Sequence, residues 1–173
     1  MTTWVLFAGL PGTGKSTLAK ALAPRLHAAI LDKDCVRAAL FPGSLTDYNA
    51  AQDQVCLRAM LDAAAYLTAH HRTSYIFFDG RTFSTQAQRE EVQHAAERAG
   101  ARWRILHITC ADAVADARLA ADHEHPAKNR TPALYRTLQH QFEPIPQPKL
   151  EIDTTEGMDP VLDEAEAFLR IRE

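Results

Sequence analysis

The sequence has few cysteines, no long apolar run and no strong excess of charge of either sign. Its 173 residues include three cysteines and no Cys-x-x-Cys pair, so neither a disulfide framework nor a zinc site is indicated. No apolar stretch approaches the roughly 18 residues that a membrane helix needs, and no basic region precedes the short apolar stretch near Met1. These absences predict a cytoplasmic protein.

Glycine and proline are also scarce, at 7 and 9 residues, which excludes collagen-like and low-complexity chains. Nineteen basic and 22 acidic residues give a net charge of -3, so no overall attraction draws the chain to nucleic-acid backbones or anionic lipids. The apolar content of 46% is that of a globular protein. Length and composition together predict one domain spanning residues 1–173.

Short apolar runs alternate with amphipathic stretches along most of the chain. The runs predicted as strands are residues 4–8, 28–31, 74–78, 103–109 and 150–153. Helical stretches separate them, which predicts an α/β fold with a parallel sheet of about five strands and right-handed crossovers. Residues 122–132 are polar and without apolar periodicity, so they are predicted to form a mobile lid.

Residues 9–17 match the pattern G-x-x-x-x-G-K-[ST] between a predicted strand and a predicted helix, the context that a phosphate-binding P-loop requires. Its glycines allow backbone amides to turn toward a phosphate. Lys15 would reach the β- and γ-phosphates, and Ser16 would offer its hydroxyl to Mg²⁺. The predicted nucleotide-binding residues are Gly9, Pro11, Gly12, Thr13, Gly14, Lys15, Ser16 and Thr17.

Charged residues follow the second predicted strand, where ligands of open parallel sheets bind. Asp34 could take the proton of an attacking hydroxyl, and Arg37, one helical turn later, could hold an anionic group or the acceptor itself. Alternatively, Asp34 caps a helix that starts at Cys35, with Arg37 on a solvated face. The spacing alone does not separate these two interpretations.

A further carboxylate, Asp79, ends the third predicted strand. It occupies the position where a carboxylate orders Mg²⁺ in P-loop enzymes, although aspartate before Gly80 is also a common turn former. Arg81 and Thr82 come next and could line an acceptor pocket.

Two local patterns concern packing and helix capping. Thr85 and Gln88 have the spacing of a capping box, which predicts a helix start. The aromatic residues Phe41, Tyr48 and Phe83 could stack on a substrate ring, but the interpretation preferred here is that they belong to the core.

Three segments together carry a family resemblance. The P-loop, residues 31–37 (Leu-Asp-Lys-Asp-Cys-Val-Arg) and residues 78–83 resemble the AAA_33-like small P-loop kinases related to the polynucleotide kinase domain, zeta-toxin kinases and chloramphenicol phosphotransferase. The resemblance spans nearly the whole chain. It implies a three-layer fold like that of nucleoside monophosphate kinases, with ATP and Mg²⁺ as cofactors. It also implies Asp34 as the general base and Arg37 as an acceptor contact, with Asp32 in a structural role.

The resemblance extends to the lid and to the segment after the last strand. It implies that a lid arginine closes over the transferring phosphoryl group, a catalytic role predicted here for Arg130, with Arg118 and Arg136 as competitors. It also implies that the loop holding Thr154 touches the adenine base.

These observations predict an enzyme that transfers the γ-phosphoryl group of ATP to a hydroxyl. The slightly acidic charge balance favours a small-molecule acceptor over the 5′-hydroxyl end of a nucleic acid. A groove lined by Arg37, Arg81 and the lid could still hold a strand end. From another class, a nucleotide-binding switch would hydrolyse ATP without any acceptor. The sequence does not decide the oligomeric state.

Overall fold

The computed structural model describes residues 1–121 and 132–171. It contains the strands β1 (Thr3–Ala8), β2 (Ala28–Asp32), β3 (Tyr75–Asp79), β4 (Arg102–Thr109) and β5 (Leu150–Asp153). Its α-helices are α1 (Lys15–Leu26), α2 (Lys33–Leu40), α3 (Ala50–Ala69), α4 (Gln86–Arg98), α5 (Asp112–Ala121), α6 (Pro132–His140) and α7 (Asp159–Arg170). A short 3-10 turn at Gly43–Leu45 precedes α3. The predicted five-stranded sheet is confirmed.

All neighbouring strands in the sheet are parallel, in the order β2-β3-β1-β4-β5. The strand β1 is therefore central, with its first two successors in the chain on one side and the last two on the other. The connection after β1 leads to one side of this strand, and the connection after β3 leads to its other side. Open α/β sheets bind ligands in the crevice at such a point, here at the carboxyl end of β1. Because Asp32 pairs in register with Asp79, the predicted carboxylate positions of the two neighbouring strands lie side by side.

Helices cover both faces of the sheet, which confirms the three-layer fold. In β1, Val5 and Phe7 pack on the face that α1 and α7 cover, whereas Trp4 and Leu6 pack on the face that α3 and α4 cover. All four side chains are fully buried, and each contributes about 1.5–3 kcal/mol through burial of apolar surface. No helix within the two described ranges is both long and apolar enough to cross a membrane.

The start of α2 differs from the alternative in which Asp34 caps a helix beginning at Cys35. The carboxylate of Asp32 accepts hydrogen bonds from the backbone amides of Asp34, at 2.8 Å, and of Cys35, at 3.4 Å. Asp32 is therefore the N-cap, and α2 begins at Lys33. This cap places Asp34 inside the first turn of the helix rather than before it.

The start of α4 matches the predicted capping box only in part. Thr85 Oγ1 accepts a hydrogen bond from the Gln88 amide at 3.3 Å, as the pattern predicts. The reciprocal bond is missing, because Gln88 Oε1 is buried and has no hydrogen-bond partner among the described residues. The Gln88 side chain instead lines a cleft beside the P-loop.

Candidate active site

A cleft of about 290 Å³ opens at the carboxyl ends of β1, β2 and β3. At its P-loop end lie Pro11, Lys15 and Ser16. Its distal end is formed by side chains from α2, α3, α4, α6 and the segments that connect them. The cleft brings together eight residues that were site candidates from the sequence: Pro11, Lys15, Ser16, Asp34, Arg37, Asp79, Arg81 and Thr82.

The P-loop end is shaped by backbone. A Cβ atom at Gly9 would lie 2.2 Å from the backbone oxygen of Ile108, so only glycine fits where β1 leaves the sheet. Gly14 takes a φ of 91° at the N-cap of α1 without a capping side chain. Helix N-termini of this kind bind anions through their amides and the helix dipole. Lys15 Nζ donates to the backbone oxygen of Leu10 at 2.7 Å, which holds the lysine against the loop.

Asp79 lies next to the P-loop end of the cleft. It is 1% exposed, and its Oδ1 atom has no hydrogen-bond partner in the part of the chain that the structure describes. A buried carboxylate oxygen without a partner is costly. A hard cation satisfies such an oxygen, and a carboxylate with a nearby hydroxyl suits Mg²⁺. Asp79 and Ser16, which both line the cleft, therefore fit a magnesium ion.

Gly80 allows β3 to close against α2. Its φ is 76°, and a Cβ atom there would lie 2.6 Å from Asp32 Oδ1 and 2.8 Å from the Lys33 amide nitrogen. The turn at Gly80 therefore packs so closely against the N-cap of α2 that no side chain fits between them. This approach places Asp79 and Arg81 on the same cleft as Asp34.

The distal end holds a buried cluster of charges. Arg37 is 3% exposed and forms an ion pair with Asp53, and Lys33 Nζ lies 3.1 Å from the same Asp53 carboxylate. Arg37 Nη1 is also 3.8 Å from Asp34 Oδ1, and its guanidinium lies 5.0 Å from the ring centre of Tyr48. Arg37 is thus buried in the cleft, which contradicts the interpretation that puts it on a solvated face.

Burial also changes the ionisation of this cluster. The pKa of Lys33 is lowered to about 8, chiefly by desolvation; the nearby Asp34 opposes this shift, and Arg37 and Arg81 contribute to it. Desolvation likewise lowers the pKa of Arg81, with partial compensation from Glu91.

Several lining residues were not predicted from the sequence. Lys33 and Asp53 carried no motif, and Gln88 was predicted only as part of a capping box. Leu138 and Gln141 reach the cleft from α6 and the segment that follows it. Among the three aromatic residues predicted as core, Phe83 is fully buried in the core, whereas Tyr48 lines the cleft.

Thr154 and Arg118 lie behind the P-loop rather than in the cleft. Thr154 is fully buried, and its hydroxyl lies 2.8 Å from the Thr13 carbonyl oxygen that accepts its hydrogen bond. Arg118 donates to Thr154 Oγ1 at 2.9 Å and to the Thr154 backbone oxygen at 2.8 Å. These contacts tie the P-loop to the segment after β5.

Arg136, the remaining arginine candidate within the described part of the chain, does not line the cleft. Arg136 pairs with Asp112 at 3.3 Å and with Asp116 at 2.8 Å, and its side chain is 49% exposed. Arg130 and most of the predicted lid, residues 122–131, lie outside the described residues. The role of Arg130 therefore stays a prediction.

The sheet order and the P-loop after the central strand define a small P-loop protein of three-layer α/β fold. The chain belongs to the AAA_33 family, described as an AAA domain, whose model matches residues 5–145. No curated protein matches the sequence.

Solved structures share the fold over nearly the whole chain. A candidate kinase from Chloroflexus aurantiacus j-10-fl has a TM-score of 0.76 at 21% identity, covering 98% of this chain and 97% of its own. A gluconokinase from Sinorhizobium meliloti 1021 has a TM-score of 0.71 at 14% identity, covering 96% and 91%. An APS kinase from Mycobacterium tuberculosis in complex with AMPPNP and APS has a TM-score of 0.70 at 17% identity, covering 98% of both chains. At these identities the likeness establishes the fold.

Proposed function

We propose that the protein is a kinase that transfers the γ-phosphoryl group of ATP to a hydroxyl of a small molecule. The observation that carries this proposal is the continuity of the cleft, which runs from Lys15 of the P-loop to Asp34 on α2. A nucleotide switch needs no second pocket beside the phosphates, and it needs no carboxylate there. The kinases among the proteins of similar fold support the same class.

The P-loop end binds the nucleotide in this proposal. The amides at the start of α1 and the Lys15 ammonium hold the β- and γ-phosphates. Ser16 and Asp79 hold Mg²⁺, which when bound neutralises charge on the phosphate oxygens. The ties from Thr154 and Arg118 keep the loop in position for the phosphates.

Asp34 acts as the general base. Its carboxylate takes the proton of the acceptor hydroxyl as that oxygen forms a bond to the γ-phosphorus. The bond between the γ-phosphorus and the β,γ-bridging oxygen breaks, and ADP leaves with the electron pair. Arg37 Nη1 lies 3.8 Å from Asp34 Oδ1, close enough to position the acceptor beside the base.

A small acceptor fits the dimensions of the site. The cleft volume of about 290 Å³ includes the P-loop end and lies at the lower limit of the roughly 300–1,000 Å³ typical of small-molecule pockets. The net charge of -3 provides no general attraction for a polynucleotide. The arginines at the distal end nevertheless keep a 5′-hydroxyl nucleic-acid end as the second candidate.

Incubation with γ-labelled ATP, Mg²⁺ and a panel of acceptors tests the proposal. The panel contains nucleosides, sugars, sugar acids, amino-sugar antibiotics, a metabolite extract and a 5′-hydroxyl oligonucleotide. We expect label on a small molecule. Label on the oligonucleotide alone would establish end-phosphorylation instead. Release of free phosphate only, at the same rate in Asp34→Asn, would place the protein among nucleotide switches.

A further inference from the structure

Besides Arg37, two side chains at the distal end of the cleft, Arg81 and Gln88, have buried polar atoms without hydrogen bonds to the described residues. The Nε and Nη1 atoms of Arg81 are buried and make no hydrogen bond to any described residue. The side chain of Arg81 is 12% exposed, and Nη1 lies 3.9 Å from Glu91 Oε2, beyond hydrogen-bond distance. Gln88 Oε1 is also buried without a hydrogen bond among those residues. Both side chains line the cleft.

The other cations at the distal end are already paired with carboxylates. Lys33 and Arg37 share the carboxylate of Asp53. Arg37 Nε and Nη2 likewise have no hydrogen bond to the described residues, but Nη2 forms the ion pair with Asp53 and Nη1 lies 3.8 Å from Asp34 Oδ1. Glu91, the carboxylate beside Arg81, accepts a hydrogen bond from Gln54. Arg81 is therefore the distal cation that has no carboxylate within hydrogen-bond distance among the described residues, since Glu91 lies 3.9 Å away.

A buried guanidinium with unmet donors favours an oxyanion as ligand. The planar fork of arginine matches the two oxygens of a carboxylate or a phosphate. The Gln88 Oε1 atom without a partner requires a hydrogen-bond donor, and a hydroxyl group can supply one. Buried polar groups without partners are uncommon in folded proteins, and a bound ion or a functional role is one physical reason for them.

We propose that the acceptor is a small hydroxylated acid, whose carboxylate or phosphate group binds Arg81 and whose second hydroxyl donates to Gln88. This inference rests on the proposed function, because the reacting hydroxyl of the same molecule must reach Asp34. It assigns Arg81 and Gln88 to substrate discrimination and leaves proton transfer to Asp34.

Calorimetric binding in the presence of Mg²⁺ and a non-hydrolysable ATP analogue tests the inference without requiring catalysis. Matched pairs differ only in the acidic group: gluconate and glucitol, glycerate and glycerol, glycerol 3-phosphate and glycerol. We expect at least one acid to bind about 10- to 100-fold more tightly than its neutral partner, the range for charge-assisted hydrogen bonds. The first two pairs report a carboxylate and the third reports a phosphate.

Variants of Arg81 and Gln88 test whether these residues cause the preference for acids over neutral partners. Arg81→Gln should reduce the ratio of acid to neutral affinity to below about 3, and Arg81→Lys should retain part of it because the charge stays while the fork is lost. Gln88→Leu should weaken both members of a pair alike. Arg72→Gln, at an exposed arginine, is the matched control and should leave every ratio unchanged. Urea unfolding of each variant excludes loss of folding as the cause.

Failures of the inference and of the proposed function give different results. The inference is overturned if acids and their neutral partners bind equally, if no acid binds, or if Arg81→Gln leaves the ratio of acid to neutral affinity unchanged. It is overturned in these cases even if phosphoryl transfer to another hydroxyl is found. Tighter binding of a 5′-hydroxyl oligonucleotide than of any small acid overturns it too. An acid preference that Arg81→Gln abolishes supports the inference, even if no label is transferred and the kinase proposal fails.

Discussion

The two ends of the cleft are built in different ways. The P-loop end comes from one contiguous segment, residues 9–17, and its shape depends on backbone at glycines with φ values that other residues rarely adopt. The distal end assembles side chains from α2, α3, α4 and α6, which are far apart in the sequence. In the proposed function, phosphate binding is thus a local property of the chain, whereas acceptor binding is a property of tertiary packing.

This contrast determines where substitutions should act. Changes at the P-loop end should affect ATP and every acceptor alike, since the phosphates are common to all reactions of this site. Changes at the distal end should affect the proton transfer or the choice of acceptor and leave nucleotide binding nearly intact.

The largest expected effect is at the P-loop end. Lys15→Ala removes the ammonium that holds the β- and γ-phosphates, and we expect kcat to fall by about 10³-fold or more. ATP affinity should fall as well, measured by calorimetry with the non-hydrolysable analogue. Lys20→Ala on the exposed face of the same helix serves as the control. Unimpaired transfer in Lys15→Ala would remove this lysine from the site.

At the distal end, Asp34→Asn removes the proposed base without changing the size of the side chain. We expect kcat to fall on the order of 100-fold or more, with ATP affinity nearly unchanged. A loss of kcat without a loss of ATP affinity is the most direct test that the two ends of the cleft act separately. Asp62→Asn, at an exposed aspartate on α3, should behave as the wild type. A parallel loss of ATP affinity in Asp34→Asn would show that the ends are not separable.

A smaller effect is expected where the distal end depends on backbone. Gly80→Ala would place a Cβ atom 2.6 Å from Asp32 Oδ1 at a φ of 76°, so both strain and overpacking apply. We expect a loss of about 1–3 kcal/mol in the free energy of unfolding. Gly100→Ala has a similar φ of 66° and open space around its Cβ, so it should cost less. Urea unfolding of both variants measures the difference, and equal losses would show that the contact with α2 is immaterial.

The last effect concerns the pH dependence of stability and is small per pH unit. Burial lowers the pKa of Lys33 to about 8 from its ordinary value of 10.5. Between these values the unfolded chain binds more protons than the folded chain, so this lysine makes the folded state more stable as pH rises, by at most about 1.4 kcal/mol per pH unit. Below the folded pKa, the burial penalty is present in full.

Lys33→Met lacks this titration and provides the comparison. The unfolding free energy of the wild type minus that of Lys33→Met should increase between pH 8 and 10.5. A difference that stays flat over this range would mean that Lys33 keeps its ordinary pKa in the folded protein.

Much of the architecture could be predicted from the sequence because it depends on local patterns. The apolar runs that became β1 to β5 are bounded by turn residues, and their alternation with helices predicted a parallel sheet. The P-loop was recognised from one segment. Asp34, Arg37, Asp79 and Arg81 were candidates because they follow strands, and the carboxyl ends of parallel strands meet at one edge. For Asp34 and Arg37 the spacing left a helix cap and a solvated face open, and the family resemblance favoured the site; the structure places all four residues on one cleft.

The rest could not be predicted, because it depends on which helix packs against which. Asp53 lies on α3, and its pairing with Lys33 and Arg37 follows from the packing of α3 on α2. Tyr48 was predicted as core from its aromatic character, since no local pattern shows that it lies against Arg37. Asp32 and Asp34 are both compatible with a helix cap in sequence, and the choice of Asp32 is visible only from the observed hydrogen bonds.

A backbone hydrogen bond connects the two ends of the cleft: the Gly9 amide, where the P-loop begins, donates to the backbone oxygen of Thr82 at 3.0 Å. Both atoms belong to the main chain, so exchange of the Thr82 side chain leaves the donor and the acceptor in place. This connection between the P-loop and the segment after β3 is therefore independent of the residue type at position 82. Under the proposed function, a substitution there can change the lining of the cleft without removing the connection.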